Sequence, residues 1–322
     1  MQSHMMIGKP GIEFSVVLFS AVVVAALLFA STLAVLDAAD VQVTGELGSR
    51  TVKAYKYGVT TVSFCAICAA VISLQYAVVR TKRLSNLGGK VHVQRQVQHV
   101  GSGVALIALF WVLPYQLSIL TCSCACVGFW FVHQARAWSP EVDRQFLAQF
   151  GALLREAERT GQRPPGAFYF LLGFFLCAFL FPSRSATFGM VCVTLSDPLA
   201  ATGGAIFGGP KLLGEKTLGG FVVCSLASAL ICAALVSGVD SLSPVVCRHD
   251  WIGVGEVCAG LAVSGLCVGA AELVGGRVPH LDDNLTTSFG SVLLIRLTTR
   301  MLGAAGFENC VLGALLVPNR PN

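Results

Sequence analysis

The sequence predicts an all-α, polytopic transmembrane protein of about 8–10 spans, with one amphipathic helix lying at the membrane surface. Three observations carry that expectation. Of the 322 residues, 55% are apolar. Charged residues make up only 12%, about half of the ~25% usual in soluble domains. Mean hydropathy is +0.73, more than one water-soluble core can hide, because a soluble domain must cover itself with polar side chains. A soluble enzyme, a disordered chain and a secreted disulfide scaffold are thereby excluded. The 13 cysteines, Cys65 and Cys68 among them, fall mostly inside apolar runs and read as small buried hydrophobes.

The elements follow in order. Phe14 to Leu36 lacks the short apolar region and cleavage signature of a signal peptide and reads as a retained first span; Val59 to Val79 is the second. The loop after it, Arg80, Lys82, Arg83, Lys90 and Arg95, holds no acid, so the positive-inside bias places it in the cytosol. Val100 to Val132 is interrupted by Pro114 and reads as two short helices or one kinked one. Glu141 to Arg159 carries Val142, Phe146, Phe150, Leu153, Leu154 and Ala157 at helical spacing, the pattern of the amphipathic surface helix. Ala167 to Phe181 and Ala186 to Ala201 are the next spans, joined at Pro182-Ser183. A Gly-rich polar loop, Thr202 to Thr217, precedes spans at Leu218 to Val239 and Val254 to Val274. Leu285 to about Gly303 is the last clear span, and Cys310 to Val317 is a further short apolar segment. The chain therefore divides into a two-span region (1–89), a main transmembrane region (90–303) and a tail (304–322).

Alternating the spans from the basic loop puts 133–166, 202–217 and 275–284 on the cytosolic side and 37–58 and 240–253 on the other. Nearly every unusual polar residue then shares one face. Asp197 ends an apolar run, and an ionisable group at membrane depth usually serves a function. Gly203, Gly204, Gly208 and Gly209 follow, then Lys211, Lys216 and Thr217. Glycines let a backbone approach phosphate closely, and lysines supply point charges; an ordinary flexible loop is the alternative. Asp282, Asp283 and Asn284 are hard oxygen donors of the kind Mg²⁺ takes beside phosphate, or else a solvated turn. Arg95, His99, Arg155 and Glu156 are candidates for a phosphate or lipid head group, or plain interfacial anchors. Together these residues point to phosphoryl chemistry at the membrane surface, which needs positioned charge and an acceptor held in line. No Walker A sequence, protein-kinase signature or nucleic-acid-binding pattern is present.

The string from Ser196 through Asp197, Gly203, Gly204, Gly208, Gly209, Lys211 and Lys216-Thr217 to Gly220 resembles the nucleotide motif of the CTP-dependent lipid kinases, namely dolichol kinase, phytol kinase and fungal-type diacylglycerol kinase. Asp282-Asp283-Asn284-Leu-Thr286 is similar to that family's late Asp-Asn-Leu/Phe-Thr motif, and Arg95 to His99 to its early Arg-Lys-x-x-His segment. Leu154-Arg-Glu156 with Gly166 to Gly173 resembles the diacylglycerol kinase branch. The chain departs from the pattern at Gln96, Gly219 and Phe221. The resemblance implies an endoplasmic reticulum membrane enzyme of phospholipid or polyprenol metabolism. It would move the γ-phosphoryl group of CTP to diacylglycerol or a polyprenol, with Asp197 binding magnesium or orienting the acceptor and Asp282, Asp283 and Asn284 completing the metal site. Lys211 and Lys216 would then lie at the CTP phosphates. A phosphatidate cytidylyltransferase lacks its C-terminal signature here, and a transporter lacks visible repeats; both stand as alternatives.

Overall fold

The computed structural model describes residues 93–113, 115–237, 254–275 and 281–304, with 311, 312 and 315. The two spans expected before residue 80 and the 240–253 loop lie outside the described residues. The chain is an all-α polytopic membrane protein. Helix α1 (Val93–Val112) is followed by α2 (Tyr115–Trp138), so the apolar run around Pro114 is two helices, longer than the sequence suggests. The surface segment then comprises α3 (Pro140–Phe150), one tight turn (Gly151–Leu153) and α4 (Glu156–Arg159). Next comes α5 (Gly166–Leu180), then α6 (Ser183–Phe207). A small antiparallel hairpin pairs β1 (Lys211–Leu213) with β2 (Lys216–Thr217), Lys211 opposite Thr217 and Leu213 opposite Lys216. Helices α7 (Leu218–Ser237) and α8 (Val254–Val274) follow, and α9 covers 283–304.

Four of these helices are long and apolar enough to cross a membrane: α2, α6, α7 and α8. Helix α9 carries Arg296 and Arg300 in its second half, and α5 is apolar but only 15 residues long. The bundle is dressed for lipid. Leu226, Leu230, Leu266 and Met301 are more than half exposed, whereas Phe174, Phe188, Val193 and Val268 are fully buried. Exposed apolar surface on this scale is stable only against hydrocarbon.

Two sequence expectations are corrected. The amphipathic helix expected over 141–159 is broken: Leu154 and Arg155 are extended (ψ 143° and 161°), so the segment folds back instead of running on. Its anchor is Arg136 at the end of α2, which bonds Asp143 (2.8 Å) and the carbonyls of Glu158 and Arg159 (3.2 Å each). The Phe146 ring lies under the same guanidinium, 4.4 Å away. Second, the Gly-rich stretch is not a loop from Thr202, because α6 continues to Phe207 and only Gly208 and Gly209, with φ of 59° and 92°, turn the chain out of the helix. Asp282, Asp283 and Asn284 are buried, so the alternative of a solvated turn at this cluster is removed.

Two wide, π-type turns interrupt long helices, at Cys192–Ser196 in α6 and Thr286–Gly290 in α9, and they pack against each other. Each adds a residue to one turn and so rotates the side chains beyond it relative to those before. Buried hydroxyls nearby bond within the helices, Thr194 to the Met190 carbonyl (2.7 Å) and Ser288 to that of Asn284 (2.7 Å). Ser228 on α7 donates to Ser196 on α6 (2.8 Å), tying neighbouring helices together. Close helix approach elsewhere requires glycine. A Cβ at Gly265 would stand 2.3 Å from the Ser225 carbonyl oxygen, whereas one at Gly255 would meet nothing within 4 Å.

Gly265→Ala therefore forces α7 and α8 apart and should cost about 1–3 kcal/mol. Melting of the purified protein in detergent should fall for Gly265→Ala and stay unchanged for Gly255→Ala.

Candidate functional site

Successive helices alternate in direction, and their polar ends meet at one end of the bundle. The starts of α1, α5, α7 and α9 lie there with the ends of α2, α6 and α8. The contacts are specific. Arg155 places one guanidinium nitrogen 2.5 Å from Asp283 Oδ2 and the other 3.4 Å from Asp282 Oδ2. Lys216, on β2, pairs with Glu272 near the end of α8 and stands 3.8 Å from the same Asp283 oxygen. Arg163 donates to the Leu281 carbonyl (3.3 Å). Segments 133–166 and 202–217 and the described residues 281–284 thus share a face, as span alternation requires.

Each side chain is held by local structure. Arg155 precedes α4, and its backbone N–H donates to Glu158 (3.1 Å), which fixes the fold-back that aims the guanidinium at α9. Asp282 caps the start of α9, accepting from the Asn284 N–H at 3.1 Å. Asn284 donates its side-chain amide to the Gly166 carbonyl (3.3 Å), while its buried Oδ1 has no hydrogen-bond partner. A Cβ at Gly275 would lie 2.7 Å from Asp283 Cα, so the small residue ending α8 lets the acid pair seat against it.

Asp197 sits just beyond the π-type turn of α6, within electrostatic reach of Asp283, His99, Lys216 and Arg155. His99 is oriented by the Val193 carbonyl at 2.8 Å and packs edge-on against Phe170. Gln96, the departure noted in the sequence motif, donates to the Pro198 carbonyl (3.4 Å) and accepts from Thr202 (3.3 Å), a neutral strut between α1 and α6. Arg95 acts electrostatically on Asp283 and lies beside Gly166.

The charge balance has a clear internal logic. Burial works against ionisation of Asp283, but Arg155 and Lys216 override it and hold this carboxyl well below its usual range. Asp282 is pushed up to about 7, by burial first and then by the charge of Asp283. Burial opposes the charge on Lys216, yet Glu272, Asp283 and Asp197 together hold its ammonium above its ordinary value. Among the described residues no three His, Cys, Asp or Glu side chains are grouped to hold a metal ion by themselves.

Of the sequence candidates, the fold brings together Asp197, Lys216, Asp282, Asp283, Asn284, Arg155, Arg95 and His99. Lys211 is apart from them, exposed on the hairpin and paired with Glu215 at 2.6 Å. Glu156 is exposed. Gly203 and Gly204 are helical and serve packing: a Cβ on the first would strike Val223, and one on the second would crowd Thr217. Thr217 accepts from the Gly220 N–H (3.3 Å) and caps α7. Gly208 and Gly209 make the exit from α6, where the Gly208 carbonyl accepts from Gly219 (2.9 Å). Glu272, Glu158 and Arg136 escaped the sequence reading. Glu272 carried the signal that could have found it, an acid inside an apolar span.

Comparison with protein families, with curated proteins and with solved structures finds no match for this chain.

Two outcomes test the site. Glu272→Gln leaves the Lys216 ammonium without its main partner and should cost about 3 kcal/mol, read as a lowered detergent melting temperature. The acid pair also sets a pH dependence. The raised Asp282 contributes stability that is full below the unfolded carboxylate value of ~4 and lost as pH rises towards 7. The lowered Asp283 contributes stability present above ~4 and lost only on further acidification. Stability from the pair should therefore fall between about pH 4 and about pH 7, and Asp282→Asn should flatten that slope in melts across the range.

Proposed function

We propose that this protein is a membrane-embedded kinase that moves the γ-phosphoryl group of CTP to a lipid alcohol, either diacylglycerol or a polyprenol, with Mg²⁺. The observation that carries the reading is the convergence of Asp197, Lys216, Arg155 and the Asp283-Asn284 pair at the end of an apolar bundle, where a lipid hydroxyl can reach water-borne phosphate. The motif resemblance supplies the nucleotide and the acceptor class, and with them the endoplasmic reticulum membrane and a cytosol-facing site.

In this reading Arg155 and Lys216 bind phosphate charge and neutralise it as it shifts. Asp197 orients the acceptor hydroxyl and takes its proton as the oxygen bonds to the γ-phosphorus and CDP departs. The low-lying protein surface around α4 and the hairpin orients the nucleotide, and the lipid-facing helices keep water from the acceptor. The donors fit a hard cation: Asp283 and Asn284 offer oxygen alone, and Asn284 Oδ1 is buried with no partner to satisfy it. Mg²⁺, when bound with the nucleotide, would neutralise charge on the phosphates; it usually keeps several waters and takes one or two protein carboxylates. That habit suits a site without three grouped ligands.

A second reading has its own support. Two long helices interrupted beside acidic residues, at Asp197 and Asp283, also suit a transporter with an intramembrane ion site. CTP labelled on its γ-phosphate separates the possibilities. A kinase places that label on lipid, a cytidylyltransferase releases it as pyrophosphate, and a transporter shows vesicle flux with no CTP requirement.

Asp197→Asn and Lys216→Ala should each lower lipid labelling at least about 100-fold. Lys211→Ala, altering only an exposed pair, should stay within about threefold of the parent protein. Equal losses at Lys211 and Lys216 would count against the assignment.

A further inference from the structure

A cavity lies at the opposite end of the bundle from the acid cluster. There the start of α6, the end of α1 and the end of α7 enclose about 360 Å³. Helix α6 reaches both, and its rise from Ser183 to Asp197 separates them by about 20 Å. The cavity is unlike a simple packing gap. Among the described residues that line it, Arg184 is the one charged side chain, with the hydroxyls of Ser183 and Thr187 beside it. Among the described residues, Arg184 has no carboxylate partner, whereas each arginine of the surface segment 136–163, at the other end of the bundle, finds an acid or a carbonyl. Arg184 is half-buried, so its guanidinium stays within reach of a ligand, and an anion entering the cavity would gain a charge-assisted, bidentate hydrogen bond there.

The remaining walls choose the kind of anion. Phe110, Met190 and Leu315 make the interior apolar, and Trp111 at the mouth is 75% exposed. Tyr115 is held in the wall by its hydroxyl, which donates to the Ala178 and Phe181 carbonyls. A tryptophan and a tyrosine at a helix end mark the level where headgroups meet hydrocarbon. A free phosphate would gain nothing from these apolar walls, whereas a lipid fills them with its glycerol and upper acyl carbons. We propose that this cavity binds a phospholipid with a net-negative head group, its phosphate on Arg184, in the leaflet opposite the acid cluster. The proposal is independent of the chemistry assigned to Asp197.

Native mass spectrometry of the full chain in neutral detergent tests it, with phosphatidylglycerol and phosphatidylcholine of identical acyl chains as probes. One phosphatidylglycerol should be retained in preference to phosphatidylcholine, and inorganic phosphate at equal concentration should not displace it. Arg184→Gln should weaken that retention about tenfold, while Arg184→Lys keeps most of it and Arg144→Gln, on the other face, leaves it unchanged. Equal retention of the two lipids, displacement by inorganic phosphate, or an unaltered Arg184→Gln protein would overturn the proposal. Should Arg184→Gln fail to fold, photolabelling of the parent protein with a diazirine phosphatidylglycerol decides. Labels on the peptides around Trp111 and Thr187 support the site, and labels confined to other segments refute it.

Discussion

Charge burial governs this structure. A bundle with so apolar an exterior can hold ionised side chains inside only where each finds an opposite charge, because an unpaired buried charge costs several kcal/mol. Asp283 is the centre of that arrangement: Arg155 approaches it from the surface segment and Lys216 from the hairpin. Glu272 then holds Lys216 from α8, and Asp282 shares Arg155. Elements far apart in sequence are thus tied at one point by electrostatics rather than by apolar packing, which in lipid offers little preference for one helix neighbour over another.

The rest of the fold serves to deliver those groups. Arg136 and Phe146 pin the surface segment so that Arg155 projects back towards α9. The paired π-type turns set the rotation of α6 and α9; Asp197 directly follows the first, and Asn284 lies two residues before the second. Glycines at helix contacts allow the spacing, as where a Cβ on Gly220 would lie 2.8 Å from the Ala200 carbonyl. Both wide turns lie within three residues of an acid, Asp197 after the first and Asp283 before the second.

Much of this was legible in the sequence. The end of α8 at Val274 is legible to the residue, because Gly275 and Gly276 close the apolar run there. The break near Pro114 and the shared face of three polar segments also followed from composition and alternation. The Gly-rich stretch misled because glycine weakens helices in water, while between packed membrane helices it is what permits contact; Gly203 and Gly204 are helical for that reason. The 141–159 periodicity was real as far as Phe150, but no periodicity reveals that Arg136, outside the segment, captures the Glu158 and Arg159 carbonyls and folds it back. Lys211 and Lys216 looked equivalent in sequence. Hairpin pairing puts one at the exposed strand and the other against Glu272, a difference only the register determines.

A double-mutant cycle between Arg155 and Asp283, read by equilibrium melting in detergent, examines the central contact without assuming any activity. These residues are 128 positions apart, and only the convergence described above joins them. Arg155→Gln and Asp283→Asn should each destabilise, and the double variant should recover at least about 1 kcal/mol relative to their sum. Strictly additive effects would mean that the two charges do not meet, and the common site of Asp197, Lys216 and the acid pair would go with them.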